Sequence, residues 1–373
     1  MKTLGVLKQN NHNKIVVLIP ENIQALKKYF DHIYIESESG EKSGYTNKDY
    51  IDHGAEIVSS PLEVIEKSSI ILTFDTIPNS INQFVDKIFI GFFNCLFDFS
   101  VLIPFKGINA EVHSLDLLPR TTLAQTMDVL SSIASISGYQ AVITASNLYS
   151  KSIPMITSAA GTLHPARVLI IGAGVSGLQA IATAKRLGAR VRAFDVRNSS
   201  KTEVESLGAA FVEIDGATDN EKNGGYAEQQ SDDYIDKIQK TLYDECMAAD
   251  IIITSAKIPG KKAPILITED IVKNMKSGSI IIDLAAETGG NCAMTKANNL
   301  IFYNGVTIVG EISMVSKCAQ SSSFLISNNY TSFLKYYLTN ENHIDTDSIL
   351  SKTLVMKKSE IVQPQLLEAI NTY

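Results

Sequence analysis

"LIIGAGVSGLQAIATAKRLGARVRAFDVR" occupies residues 169–197, almost halfway along a chain of 373 residues. An apolar strand runs into a glycine turn, the turn into a helix, and a second strand ends on an acid. Gly172, Gly174 and Gly177 form G-x-G-x-x-G directly after the strand. In that pattern the first glycine permits the tight turn, the second lets backbone approach a pyrophosphate, and the third lets helix and strand pack closely. The helix that Val175 opens presents free N–H groups and a positive dipole end to phosphate. Leu178, Ile181, Ala182 and Leu187 give it an apolar face, and Gly188 ends it. Asp195 closes the second strand at the spacing of an acid that hydrogen-bonds an adenosine ribose. A carboxylate there repels a 2′-phosphate, so NAD(H) is expected over NADP(H), an expectation that Arg197 softens. Val196 lies between these two residues and joins the expected nucleotide contacts.

Around this core the chain alternates strands and helices. In the first third, "TLGVLK", "KIVVLIP", "HIYIES", "AEIVSS", "SIILTFD" and "IFIGFF" read as strands, and "PENIQALKKYF" as a helix with Pro20 in its first turn. A long helical stretch runs from about Thr122 to Tyr149, interrupted only by Gly138. The second block adds "RVLIIGA", "RVRAFDV", "AAFVEID", "DIIITSA", "SIIIDLA" and "VTIVGE" as strands. The polar "GATDNEKNGGYAEQQSDDY" between the third and fourth is a loop of unusual length, and such loops are often functional. The tail carries the helix "SFLISNNYTSFLKYYL". The expected fold is α/β, with two Rossmann-like domains of mostly parallel sheet, joined by long helices with a cleft between them. The N-terminal domain takes residues 1–130 and recovers 316–373. The nucleotide domain takes 131–315.

Composition narrows the class. Hydrophobic residues make up 45% and charged residues 20%, the balance of a folded globular chain. A net charge of −7 leaves no basic excess to neutralise phosphates, so no nucleic-acid partner is expected. Four cysteines, Cys95, Cys246, Cys292 and Cys318, have no CxxC spacing, so neither a metal site nor a disulfide framework is expected. "MKTLGVLKQNN" has no apolar core of a secretory leader. "IFIGFFNCLFDFSVLIPF" (88–105) is apolar, but Asn94 and Asp98 interrupt it and Gly91 and Pro104 break it. A spanning helix needs about 20 mostly apolar residues, so a buried strand and turn are expected there.

"PRTTLAQTMDVLSSIASISGYQAV" (119–142) and "AAGTLHPARVLIIGAGVSGLQAIATAKRLGA" (159–189) resemble the NAD(H)-binding component of the proton-translocating nicotinamide nucleotide transhydrogenases. So do "GGYA" (224–227), "IPGKKAPILITEDIVKNMKSGSIIIDLAAETGGNC" (258–292) and "TLVMK" near the end. The likeness is strong over about 119–337 and weaker before it. Alanine dehydrogenase is the related family. The resemblance implies that NADH is bound here and its hydride passed to NADP+ on a separate component, while a membrane component couples the transfer to proton movement. It implies a homodimeric, cytoplasmic subunit, peripheral on the inner face of a bacterial-type membrane through those partners.

The resemblance also marks residues. "RTTLAQTMD" matches the family's Arg–Gln–Asp loop beside the nicotinamide, giving Arg120, Gln125 and Asp128, with Ser131 shortly after. Gln125 would bond the nicotinamide carboxamide or a ribose hydroxyl, and Arg120 and Asp128 would pair to hold the loop. Gly225 and Tyr226 match a mobile loop that folds over bound nucleotide, with Gly224 and Gly225 giving hinge freedom.

Alanine dehydrogenases hold their keto acid with an arginine, a lysine and a histidine. At those positions this chain carries Lys14, a residue near Thr73 and a residue near Asn94, with no lysine or histidine at the last two. A small-molecule dehydrogenase needs a general acid or base within reach of its substrate. Hydride exchange between two nicotinamides does not. Transhydrogenation is therefore the expected activity. The alternatives are an alanine dehydrogenase-like oxidoreductase and a catalytically silent NAD-binding regulatory subunit. Departures from the family include Lys257, where relatives usually carry an apolar residue, and Glu311 and Lys317 in "VGEISMVSKCAQSSS".

Overall fold

The computed structural model describes residues 2–10, 13–75, 77–78, 81, 83–214, 232–344 and 348–372. The chain divides into two compact units, Met1–Ile133 with Val315–Tyr373 and Ala134–Met314.

The first unit opens with β1 (Thr3–Val6), α1 (Pro20–Leu26), β2 (His32–Glu36), α2 (Asn47–Asp52), β3 (Glu56–Val58), α3 (Pro61–Lys67), β4 (Ile70–Leu72), β5 (Lys87–Gly91) and β6 (Ala110–Ser114). β1 pairs in parallel with both β2 and β4, so the chain winds outward on one side and returns to wind the other way. Residues 88–105 form β5, a turn and the 3-10 segment Phe99–Phe105, as expected for a buried strand and turn. Among the described residues no helix is long and apolar enough to cross a membrane.

"KIVVLIP" departs from expectation: it forms no strand. Ile15 to Ile19 are buried, yet the backbone is served by side chains. The N–H groups of Lys14, Val16 and Ile19 donate to the hydroxyls of Ser316 (3.1 Å), Ser323 (3.0 Å) and Ser327 (2.9 Å). Tyr50 donates to the Leu18 carbonyl at 2.9 Å. Buried backbone groups require partners, and here serines take the place of a neighbouring strand.

The 20-residue α4 (Val129–Leu148) leads into the second unit. There follow the hairpin β7 (Ile156–Ser158) and β8 (Gly161–Leu163), then β9 (Arg167–Ile171), α5 (Val175–Arg186), β10 (Arg190–Phe194), α6 (Ser200–Ser206), β11 (Ala210–Phe211), α7 (Asp232–Ala248), β12 (Ile251–Thr254), α8 (Glu269–Asn274), β13 (Ile280–Asp283), β14 (Leu300–Tyr303) and β15 (Val306–Val309). The sheet order is β11-β10-β9-β12-β13-β15-β14, parallel except for β14. Leu169 of β9 sits between Arg192 of β10 and Ile252 of β12. The order reverses between β9 and β12, and ligands of open α/β sheets bind in the crevice beyond the strand ends at such a point. Strands buried on both faces read as continuous apolar runs, and β12 and β13 are buried at every position. Gly138 lets α4 and α5 meet closely: a Cβ there would lie 2.1 Å from the Ser176 carbonyl oxygen of α5.

The chain then returns to the first unit through α9 (Ala319–Asn340), α10 (Leu350–Thr353), β16 (Leu354–Lys357), β17 (Glu360–Ile361) and α11 (Pro364–Thr372). β16 lies antiparallel to β6 and β17 to β16, completing an eight-stranded sheet.

Candidate nucleotide-binding site

The glycine turn closes between β9 and α5. Gly172 has φ of +97°, a conformation open to glycine at little cost, and its N–H donates to the Phe194 carbonyl at 2.8 Å. At Gly177 a Cβ would stand 1.8 Å from the Gly172 carbonyl oxygen, so only a bare Cα lets the helix sit on the turn. Gly174 differs: among the described residues nothing lies within 4 Å of where its Cβ would be. The first helical bond runs from Leu178 N–H to the Gly174 carbonyl at 2.8 Å, so the N–H groups ahead of it project from the helix end. An uncovered glycine at the N-terminus of a 12-residue helix fits a pyrophosphate. Val175 stands exposed at this end. Gly188 adopts φ of +85° and closes α5, with Ala189 N–H returning to the Ala184 carbonyl at 3.1 Å.

Asp195 follows β10 and is buried. Its carboxylate already accepts four bonds: Ala173 N–H (2.7 Å), Arg197 N–H (2.9 Å), and the Arg197 guanidinium through Nε (2.9 Å) and Nη2 (3.0 Å). The acid therefore holds the glycine turn through Ala173. Arg197 covers both of its oxygens, so a ribose hydroxyl would share the carboxylate with the guanidinium or displace it. Val196 is exposed beside them.

Sequence reading misses the network beneath the turn. The Ser255 hydroxyl donates to the Gly172 carbonyl at 3.1 Å. Asn291, fully buried, accepts from Ala256 N–H (3.0 Å) and donates to the carbonyls of Ala256 (2.8 Å) and Pro264 (2.9 Å). Asp283, equally buried, accepts from the backbone N–H groups of Ala285, Asn291 and Cys292 and from the hydroxyls of Thr254 and Thr295. A buried carboxylate with that many donors fixes the loops around it. The available signal is an acid ending an otherwise apolar strand, "IIID".

The Arg120–Asp128 loop lies in the first unit. Gln125 begins a 3-10 turn, Gln125–Met127, and its side chain is exposed, as is that of Arg120. Asp128 does not pair with Arg120. It caps α4 instead, accepting from Ser131 N–H (2.9 Å) and the Ser131 hydroxyl (2.6 Å). A carboxylate at a helix start is favoured by the free N–H groups and the positive dipole end, which outweigh a solvent-screened ion pair. Asn329 of α9 locks the same loop, donating to the Thr126 carbonyl (3.0 Å) and accepting from Ser132 (2.7 Å). Gly224, Gly225 and Tyr226 lie outside the described residues.

The resemblance to alanine dehydrogenases directs attention to Lys14 and to the surroundings of Thr73 and Asn94. Lys14 is exposed. Thr73 is fully buried, with its carbonyl accepting from the Tyr330 hydroxyl at 2.8 Å. Asn94 takes φ of +50°, and its N–H donates to Asp116 at 3.2 Å. His113 is sealed within the first unit, its ring nitrogens 2.9 Å from Thr353 Oγ1 and 3.0 Å from Glu111 Oε1. Burial pushes the Cys246 and Cys292 thiols up, to about 12 and about 11, which keeps both from acting as nucleophiles near neutrality.

Fold and site together define a two-unit nucleotide-binding protein of the dehydrogenase type. The model of the family described as alanine dehydrogenase/PNT matches this chain twice, its N-terminal domain over residues 6–137 and its C-terminal domain over 141–364. A protein of Rickettsia prowazekii (strain Madrid E), named as the first part of an NAD(P) transhydrogenase subunit alpha, is 36% identical over 370 residues, covering 97% of this chain and 96% of that one. A crystal structure of transhydrogenase from Sinorhizobium meliloti superposes with a TM-score of 0.85 at 31% identity, covering 97% of this chain and 100% of that chain. An alanine dehydrogenase of Staphylococcus haemolyticus (strain JCSC1435) is 26% identical over 296 residues, 77% of this chain and 72% of its own length. The chain belongs to the alanine dehydrogenase/PNT family, within which it groups with the NAD(P) transhydrogenase alpha subunits.

Proposed function

We propose that this chain is the NAD(H)-binding subunit of a proton-translocating transhydrogenase, exchanging hydride with NADP(H) held on a partner subunit. The observation that carries the reading is a nucleotide turn left open at Gly174, while the expected keto-acid positions, Lys14 and residues near Thr73 and Asn94, offer no lysine or histidine at the last two. Similarity to transhydrogenase alpha subunits along nearly the whole chain supports it.

Gly172, Gly174, Val175 and Gly177 receive the pyrophosphate on backbone N–H groups. Asp195, Val196 and Arg197 receive the adenosine ribose. Gln125 orients the nicotinamide carboxamide through its amide, and Asp128 and Ser131 fix the helix start beside it. Arg120 completes that loop, and Gly225 and Tyr226 close over the nucleotide. Bound NADH supplies a hydride from C4 of its reduced ring. No proton moves on either nicotinamide, so the chain's task is to align the ring and exclude water.

The partners are an NADP(H)-binding subunit and a membrane-spanning subunit. The chain is a homodimer at the cytoplasmic face, peripheral to the membrane through them. The purified chain should change NADH fluorescence on binding and oxidise no NADH when pyruvate and ammonium are added. Pyruvate-dependent oxidation would replace this reading with an alanine dehydrogenase.

A further inference from the structure

We infer that Lys257 and Glu287 act on the nicotinamide with opposite sign, so that either charge alone would bias the chain between NADH and NAD+ and the ion pair cancels that bias, an inference that rests on the NAD(H) reading above. The sheet order puts the ends of β10, β9, β12 and β13 side by side. A dinucleotide held at Asp195 beyond β10, and crossing the glycine turn beyond β9, continues over the ends of β12 and β13. Lys257 lies three residues past Thr254, the last of β12, and Glu287 four past Asp283, the last of β13. The backbone leading to Lys257 is fixed: Ala256 N lies 3.1 Å from where a Gly172 Cβ would be, and Asn291 clamps both polar groups of Ala256. Lys257 Nζ stands 3.8 Å from Glu287 Oε2, with both side chains about half exposed, at 46% and 49%.

Such a pair adds little to stability. Its consequence is electrostatic. The oxidised nicotinamide ring carries one positive charge and the reduced ring none, while the two nucleotides are otherwise charged alike. A lysine beside the ring disfavours the oxidised form and a glutamate favours it. Paired, they largely cancel. In this chain Glu287 thus faces a cation that offsets its pull on NAD+.

The test is the ratio of two dissociation constants, Kd(NAD+) over Kd(NADH). It is measured on the full chain at low ionic strength by nucleotide fluorescence and competition. Lys257→Gln should lower the ratio by roughly three- to tenfold, and Glu287→Gln should raise it by roughly the same factor, as expected for one charge several ångströms away. The double variant should return to within about twofold of wild type, and added salt should shrink each shift. A purely structural role would move both constants together and leave the ratio alone. A ratio unmoved in the single variants, or moved the same way in both, would overturn the inference. Wild-type chain that binds neither nucleotide would overturn the NAD(H) reading itself.

Discussion

The Arg197 guanidinium spans both oxygens of the Asp195 carboxylate, Nε to Oδ1 at 2.9 Å and Nη2 to Oδ2 at 3.0 Å. An acid at this position repels a 2′-phosphate, and the guanidinium offsets that repulsion. Arg197→Ala removes the guanidinium and leaves the acid only its backbone bonds from Ala173 and residue 197. The chain should then discriminate against NADPH relative to NADH by about tenfold more than wild type, the scale of one charge within contact distance in a partly solvated site. Side-by-side titrations of the two nucleotides check this. An unchanged ratio would mean that the pair does not govern phosphate discrimination.

Two glycines of one turn should respond differently to the same substitution. Gly177→Ala drives a Cβ to 1.8 Å from the Gly172 carbonyl oxygen, so thermal stability should fall and NADH binding should be lost with it. Gly174→Ala meets no protein atom within 4 Å among the described residues, and its φ of −79° suits alanine. That variant should melt as wild type does yet bind NADH at least about tenfold more weakly, because the methyl occupies the pyrophosphate's approach. Melting curves with and without NADH separate the two cases.

Much of this turn is legible in the sequence because its information is local. Strand, glycines, helix and acid all fall within residues 169–197, and each agrees with the others. Where the reading fails, the deciding partner is distant or the signal is short. "KIVVLIP" looks like a strand until Ser316, Ser323 and Ser327, some 300 residues on, supply the bonds that a neighbouring strand would. β14 and the C-terminal β16 and β17 escape notice because strands of two to four residues carry little periodicity. The Arg120–Asp128 pair is expected from the family resemblance, whereas the start of α4 takes Asp128 as its cap. Asn291 and Asn329 give no signal, since a clamping amide declares itself only through the backbone groups it meets.

Glu111 gives the first unit a pH signature. Burial raises its carboxyl, but hydrogen bonds from His113 and Tyr337 and the nearby Lys357 charge outweigh this and hold it below its ordinary 4.5. A depressed carboxyl stabilises the fold above pH 4.5, and that contribution is lost as pH falls through the lowered value. Glu111→Gln should therefore cost about 1–3 kcal/mol near neutrality, the scale of hydrogen bonds to a charged group. The cost should shrink as unfolding is measured at successively lower pH below 4.5. A cost independent of pH would rule out the ionised carboxylate as its source.

Gln125 is exposed at the head of its turn, and the proposed function gives its amide the nicotinamide carboxamide to orient. Shortening it by one methylene in Gln125→Asn keeps the chemistry and withdraws the reach. Hydride transfer should slow about a hundredfold, as for a misplacement of about 1 Å, while the Kd for NADH rises far less. Equal losses in rate and affinity would make Gln125 a binding residue without a positioning role.

Hydride transfer to a second nucleotide is the direct test of what this chain does. The purified chain is mixed with an NADP(H)-binding transhydrogenase subunit, NADH labelled with deuterium at C4 is added, and NADPH is followed by mass. Deuterium should pass to NADP+ only when both proteins are present, without exchange with solvent. NADPH that carries solvent hydrogen, or no transfer at all by a chain that binds NADH, would contradict the assignment.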